Sequence, residues 1–580
     1  MSRARSIAFS LVLALLLGAT LAACIIQIGM DRVPRIGPLD ELGVTVALCA
    51  ATAVVAFPFA LLIALKGPAL VERASKHNPL SRLRLQFDGK SIAVSAAIIL
   101  VCWAPWIALQ FPGAVNTDAV SQIYQYQSAA PTLYSGHLVD AEFVDHHPLF
   151  DTLLYGWFLQ VGGMMGSQNA GLFLFALVQA VLSAWALAAC CCYLVRLGVP
   201  KAFRLVTLAF FALVPLFPLY AATMVKDSTF STAFAWWLLM YVEAFRTRGA
   251  ALGRWKFAAF FALATLLCFV TKKTGIYVTV PGMVIMLFAY RTYWKQLLVD
   301  IAVPMALFLG LVPAVVYPAL GGVEPGGNEE VFGTMYQQVV TAVLADDDLT
   351  AEERRAVDTV LDLDAACAAY DPLITDGVKD ERRYGTDSGD YVEFLKAYAT
   401  IGLRHAGDYA WAICRLNGSF LAPGKAITYY HTPEVSQSVI ERYENANPDN
   451  PWRYELSKPE PPKAWAKAVH DAYMDAASSN PLLAVLLGRG LYGGWIPLIC
   501  CLLAWARDRR YVLAFVPIAL SVAVLVVGPT SSARYVLPLF YCAPLLLGLL
   551  CNSLVVSARQ RRRRPSGGDA DAHDVEEARL

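Results

Sequence analysis

The chain has 580 residues, of which 57% are hydrophobic and 16% charged, with a formal net charge of +1 and a mean hydropathy of +0.49. Soluble domains carry about 25% charged residues, so this chain holds more apolar surface than water tolerates, and a soluble globular enzyme is excluded. The balanced charge argues equally against a nucleic-acid binder, which carries a basic stripe or domain.

A bilayer-crossing helix needs about 20 apolar residues. Twelve such segments follow one another along the chain, near 7–28, 42–65, 91–111, 170–195, 205–225, 228–245, 257–271, 275–290, 297–317, 485–505, 511–528 and 536–556. The expected fold is therefore an all-α polytopic membrane protein of about twelve transmembrane helices. Leu21-Ala22-Ala23-Cys24 resembles a lipoprotein cleavage box, but the chain stays apolar through Ile28, which suits an uncleaved anchor.

Short loops rich in Lys and Arg mark the cytoplasmic side. They fall before the first segment and after the second, fourth, sixth, eighth, tenth and twelfth, ending in Arg561–Arg564. The expected location is the cell membrane, with both termini cytoplasmic and residues 112–169 and 321–480 extracytoplasmic. The order reads as a two-helix addition over 1–90, a membrane core over 91–320, an acidic and mainly helical domain over 321–480, closing membrane helices over 481–558, and a basic, then polar and unfolded, tail over 559–580. The 321–480 segment carries 27 Asp and Glu against 14 Lys and Arg. It also holds Cys367 and Cys414, the two of thirteen cysteines outside apolar runs; an oxidising compartment would allow them to pair.

Ionisable residues at membrane-helix ends are costly and mark sites. Lys226 and Asp227 lie between the fifth and sixth segments, Lys272 and Lys273 between the seventh and eighth, and Arg534 with Tyr535 between the eleventh and twelfth. All are expected on the outer side, where basic residues run against the usual bias. Helix-end snorkelling accounts for one such cation; four on three short connections point to an anionic ligand, a lipid-linked phosphate or diphosphate, since the protein offers few acids nearby. Arginine grips phosphate bidentately and lysine as a point charge.

Asp118 directly follows the third segment and is placed to take a proton from an attacking hydroxyl, or to cap a helix over 119–127. Beyond it, His137, Asp140, Glu142, Asp145, His146 and His147 cluster without the spacing of a metal motif, so substrate hydrogen bonding is favoured over a divalent ion. The apolar stretch 153–161 is short for a span and reads as a helix lying in the interface, with Pro148 in its first turn.

Together these positions resemble the C-type glycosyltransferase superfamily (GT-C), and within it a branch of large bacterial multipass proteins. The resemblance rests on Asp118 in the first outer loop, His147-Pro148 before a juxtamembrane helix, Lys273-Thr274-Gly275, and Arg534-Tyr535 ahead of a Pro-containing apolar segment; it covers about 91–300 and 511–550. Two extra leading segments and the Lys226-Asp227 pair depart from the usual pattern and leave the donor's phosphate count open.

The resemblance implies a GT-C-like bundle and transfer of a sugar from a polyprenyl-phosphate-type donor to an extracytoplasmic lipid, glycan or protein acceptor in cell-envelope assembly. Asp118 would be catalytic, and His146, His147, Lys226, Asp227, Lys272, Lys273, Arg534 and Tyr535 would bind substrate. No metal ligand or required cofactor is assigned, a divalent ion staying open. The rival readings are a lipid-linked glycan flippase or transporter, which needs charges at mid-membrane depth, and an O-antigen polymerase or ligase.

Overall fold

The computed structural model describes residues 3–29, 39–76, 82–127, 132–134, 137–326, 329–383, 385–421, 426–435, 437–446 and 448–563. Their architecture is all-α, and strands occur only as three two-stranded pairings among the described residues. Five helical stretches are long and apolar enough to cross a membrane: Cys49–Ala74, Gly89–Gln110, Gln168–Tyr193, Arg291–Ala319 and Ala533–Val556. Shorter apolar helices, such as Trp255–Thr271, Gly275–Ala289 and Tyr511–Val526, pack among them. Residues 559–563, expected in the tail, continue helix Leu537–Arg563, and the rest of the tail lies outside the described residues.

Side chains on the central helices explain their packing. Helix Gln168–Tyr193 buries a run of small residues, Ala186, Ala188, Ala189, Cys190, Cys191 and Cys192, which lets neighbouring backbones approach closely, as helices without a hydrophobic drive between them require. Helices Gly89–Gln110, Lys226–Arg246 and Leu537–Arg563 use that approach. Large aromatics such as Trp103, Trp237 and Tyr541 fill the remaining space and are fully buried.

The stretch near 205–225 departs from a single span. It forms helix Lys201–Leu213, then a short helix Leu216–Ala221, then the strand Thr223–Met224. Pro215 causes the break: the residue before a proline is driven out of the helical region, and Val214 is extended at φ −79°, ψ 117°. The freed carbonyls are collected by two buried amides. Gln179 Nε2 donates to the carbonyls of Tyr220, Ala221 and Thr223, and Gln110 Nε2 donates to that of Leu219. Irregular backbone among membrane helices persists only where such partners exist.

Residues 329–420 build a helical unit with its own core of Tyr336, Val339, Val357, Leu361, Phe394 and Ile401. Helix Ala351–Val360 opens with a capping box between Thr350 and Glu353. Glu353 also takes both arms of Arg404 at 2.8 Å, tying that helix to Ser388–Arg404. Cys367 and Cys414, whose pairing the sequence left open, are both free: helix Glu329–Ala345 packs against both helices that carry them, and the thiols lie on different neighbours of it. From residue 426 the chain forms a strap, in which Ile427 and Tyr429 join the main membrane core while Trp452, Tyr454 and Leu456 cover the first loop.

Candidate functional site

Two backbone strands set the geometry of the site. Ala114 pairs with Thr223 and Val115 with Met224, in parallel, so helices Thr117–Gln127 and Lys226–Arg246 begin side by side. Helix N-termini favour negative charge, and Asp118 and Asp227 each occupy a first turn. Lysine at a helix N-terminus is unfavourable on the same ground, so Lys226 is held there by its partners. Those partners come from elsewhere in the chain.

Asp118 takes Lys226 at 2.9 Å and Arg534 at 3.0 Å. Arg534 also reaches Asp227 at 3.4 Å, and Lys272 pairs with Asp227 at 2.5 Å. Lys226 Nζ donates to His147 Nδ1 at 3.0 Å. Lys272 lies over the Tyr535 ring at 4.7 Å and the Phe230 ring at 5.6 Å. Lys273 meets Asp145 at 2.9 Å, and Asp145 also accepts from the Tyr317 hydroxyl at 2.6 Å. Asp227 is fully buried, and the side chains of Asp118, Lys226, Lys272 and Arg534 are only 10–18% exposed. At such burial these ion pairs are weakly screened and strongly coupled.

The sequence-derived candidates Asp118, His147, Lys226, Asp227, Lys272, Arg534 and Tyr535 thus form one connected cluster. Lys273 is its arm toward Asp145, and His146 stands behind, its ring 4.7 Å from that of His147. The expected shortage of acids is corrected: each of the four cations has a carboxylate of the protein beside it. Three carboxylates still leave the cluster one positive charge in excess. The helix-capping alternative for Asp118 is corrected too. Asn116 plays that part, its side-chain oxygen accepting from the Asp118 N–H at 2.8 Å, and Asp118 is left to face the cations. Pro148 is the N-cap residue of helix Leu149–Met164, not part of its first turn.

The acids and histidines of the first loop disperse instead of converging. Asp145 and His147 serve different lysines, Asp140 is exposed, and of His137 only the backbone is described. Among the described residues no group of three or more His, Cys, Asp or Glu is arranged to hold a metal ion.

Charge and burial oppose each other at Asp118. Burial alone raises its pKa, but the Lys226 and Arg534 charges outweigh it and hold the carboxyl well below its usual range. Burial, reinforced by the Lys226 charge, pushes His147 well down, so its imidazole is neutral and accepts from lysine. Asp151, fully buried with neither carboxyl oxygen hydrogen-bonded, is pushed well up by burial. An acid so placed rests protonated.

Several residues of the site carry no signal in the sequence. Tyr430, on the strap, is electrostatically coupled to Arg534 and Asp118, and its carbonyl accepts from Gln110 at 3.1 Å. Val115 N–H donates to the Thr432 carbonyl at 3.1 Å, and the Tyr220 hydroxyl donates to that of Thr428. Residues 426–432 therefore seal one side of the cluster through backbone groups, which a reading of side-chain types does not register.

Fold and cluster together define an all-α protein of the membrane-spanning type, with a largely buried network of three carboxylates and four cations drawn from five separate stretches of chain. It belongs to the DUF6020 family, a family of unknown function, whose model matches residues 8–564. No curated protein and no solved structure matches the chain.

Proposed function

We propose that this protein is a membrane glycosyltransferase of GT-C type, a bundle of about twelve transmembrane helices that moves a sugar from a polyprenyl-phosphate-type lipid to an extracytoplasmic lipid, glycan or protein acceptor in cell-envelope assembly. Both termini are cytoplasmic in this reading, and the site opens on the opposite face. One observation supports it: Asp118 bridges Lys226 and Arg534, each within 3.0 Å, so a carboxylate meets two cations of the kinds that bind phosphate.

The arrangement supplies what such a transfer needs. A lipid phosphate entering between Lys226 and Arg534 competes with Asp118 for the same cations. Its arrival loosens Asp118 from them and restores the basicity that the ion pairs suppress. The acceptor hydroxyl then attacks the anomeric carbon as its proton passes to Asp118. The bond from that carbon to the phosphate oxygen breaks, and the phosphate keeps the electron pair. Lys226 and Arg534, with Lys272 behind them, stabilise the departing charge, and the neutral His147 keeps Lys226 oriented.

The test is to incubate purified full-length protein with radiolabelled polyprenyl-monophosphate and polyprenyl-diphosphate sugars and a cell-envelope acceptor fraction, then follow the label. Wild type is expected to move label out of the lipid pool, and Asp118→Asn to insert normally into membranes without doing so. An active Asp118→Asn protein removes the base role, and label that never leaves either lipid removes the transferase reading.

A further inference from the structure

Helix Thr117–Gln127 carries Asp118 at one end and Tyr126 and Gln127 at the other. At 1.5 Å rise per residue, Tyr126 lies about 12 Å along the axis from Asp118. At that far end is an open surface cavity of about 490 Å³, outside the ion-pair cluster. Tyr126, Gln127, Gln160, Gln168, Arg453 and Tyr454 supply its polar and aromatic lining.

The lining is held in place and still has hydrogen-bonding capacity to spare. The Tyr126 ring lies against Gly156, where a Cβ would sit 1.9 Å from the ring, so the ring is fixed against that helix. Its hydroxyl donates to Gln160 Oε1 at 2.8 Å, which orients the Gln160 amide. Gln127 is clamped by the strap, donating to the Pro451 carbonyl at 2.9 Å and accepting from the Arg453 N–H at 3.1 Å. A Cβ at Gly163 would have only the Gln168 amide nitrogen nearby, at 3.9 Å, so the floor stays open. The exposed Arg453 guanidinium has no ion-pair partner among the described residues.

Two tyrosines with planar amides and a guanidinium suit one class of ligand. A pyranose ring presents an apolar C–H face, which stacks on an aromatic ring. Its edge carries neighbouring hydroxyls, which both donate and accept. Amides offer a donor and an acceptor side by side, and arginine a fork of donors. A lipid phosphate would call for clustered cations, and Arg453 is the one cation in this lining.

We propose that this cavity is a saccharide-binding subsite, which holds the glycan chain of the acceptor so that its terminal hydroxyl reaches back along helix Thr117–Gln127 to Asp118. The inference rests on the transferase reading and names the acceptor as a glycan longer than one sugar. The strap over residues 450–454 then has a double part, closing the cavity at Arg453 and Tyr454 and stacking Trp452 toward Tyr124 at 6.1 Å.

The test uses purified full-length protein and a defined series of linear gluco-, galacto-, manno- and arabino-oligosaccharides of two to six residues, with saturation-transfer NMR as the readout. At least one series is expected to bind, more tightly as the chain lengthens. Arg453→Ala, an exposed change that leaves the packing intact, and Tyr126→Ala should each weaken it at least tenfold. No binding by any series overturns the proposal, as does binding that Arg453→Ala and Tyr126→Ala leave unchanged. Phospholipid vesicles that displace a bound saccharide competitively would overturn it in favour of a lipid site. Saccharide binding without transfer from any lipid-linked sugar would sink the transferase reading alone, and transfer indifferent to both cavity variants would sink the subsite alone.

Discussion

Asp118 and Arg534 are 416 residues apart in the chain and 3.0 Å apart in space. In the proposed reading an anionic ligand of Arg534 and Lys226 would take the place this carboxylate now holds, and the two would compete. Asp118→Asn should therefore bind polyprenyl monophosphate more tightly than wild type, by about tenfold, or about 1.4 kcal/mol, while losing transfer. Titration of the lipid in detergent at low ionic strength measures this. Weaker binding by the variant would show that Asp118 supports the phosphate instead of standing in for it.

Arg534 reaches two carboxylates with different nitrogens, Nη2 to Asp118 and Nε to Asp227. A lysine ammonium is a single point and lacks the planar fork. Arg534→Lys is expected to keep the charge yet lower both thermal stability and transfer, and Arg534→Met to lower stability further, by about 3–5 kcal/mol, because it leaves a buried carboxylate short of a partner. Melting temperatures of the three proteins in one detergent give the order. Equal melting of wild type and Arg534→Lys would show that the fork does not matter.

Gln110 ties three segments together through one amide, donating to Leu219 O, Thr223 Oγ1 and Tyr430 O at 3.1 Å each. Replacing it with leucine strands buried acceptors, at about 1–3 kcal/mol, and frees the strap from the broken helix. Gln110→Leu should be cleaved faster than wild type by limited proteolysis between residues 421 and 436. An unchanged cleavage rate there would mean that the strap is held by its other contacts.

Asp151 gives a pH dependence of definite sign. Burial raises its native pKa well above the unfolded value of about 3.9, so above pH 4 the native state keeps a proton that the unfolded chain has lost. Stability from this group is fully present below that pH and falls as pH rises toward the native pKa, by up to about 1.4 kcal/mol per pH unit. Asp151→Asn removes the effect and keeps the shape. The variant's melting temperature minus that of wild type should grow from pH 5 to pH 8; a constant difference would mean that Asp151 ionises in the native state.

Much of the site is legible from residue types alone, for a physical reason. Lys226, Lys272, Lys273 and Arg534 stand at helix ends in an apolar chain, where an ionisable group is expensive enough to need an explanation. Asp118 and His147 are visible by their place beside the apolar segments. Tyr430, Gln110 and the carbonyls of Thr428 and Thr432 are not, because a strap that contributes backbone groups leaves no periodicity and no charge pattern. The break at Pro215 was also hidden: proline is tolerated inside membrane helices when neighbours satisfy its freed carbonyls, and only the positions of Gln110 and Gln179 decide that here the helix ends.

By itself the amino-acid order determined the all-α membrane class, the places of the apolar helices and the identities of the costly charges. These follow from hydropathy and from the price of ionising a side chain beside hydrocarbon, both properties of short stretches. Which charge meets which was decided only in three dimensions. Lys226 adjoins Asp227 in sequence yet pairs with Asp118, because the parallel strands Ala114–Val115 and Thr223–Met224 lay two helix starts side by side. Asp227 is left to Lys272 and Arg534. Coulomb attraction in a buried site acts across a few ångströms of space, and the chain's packing, not its numbering, sets those distances.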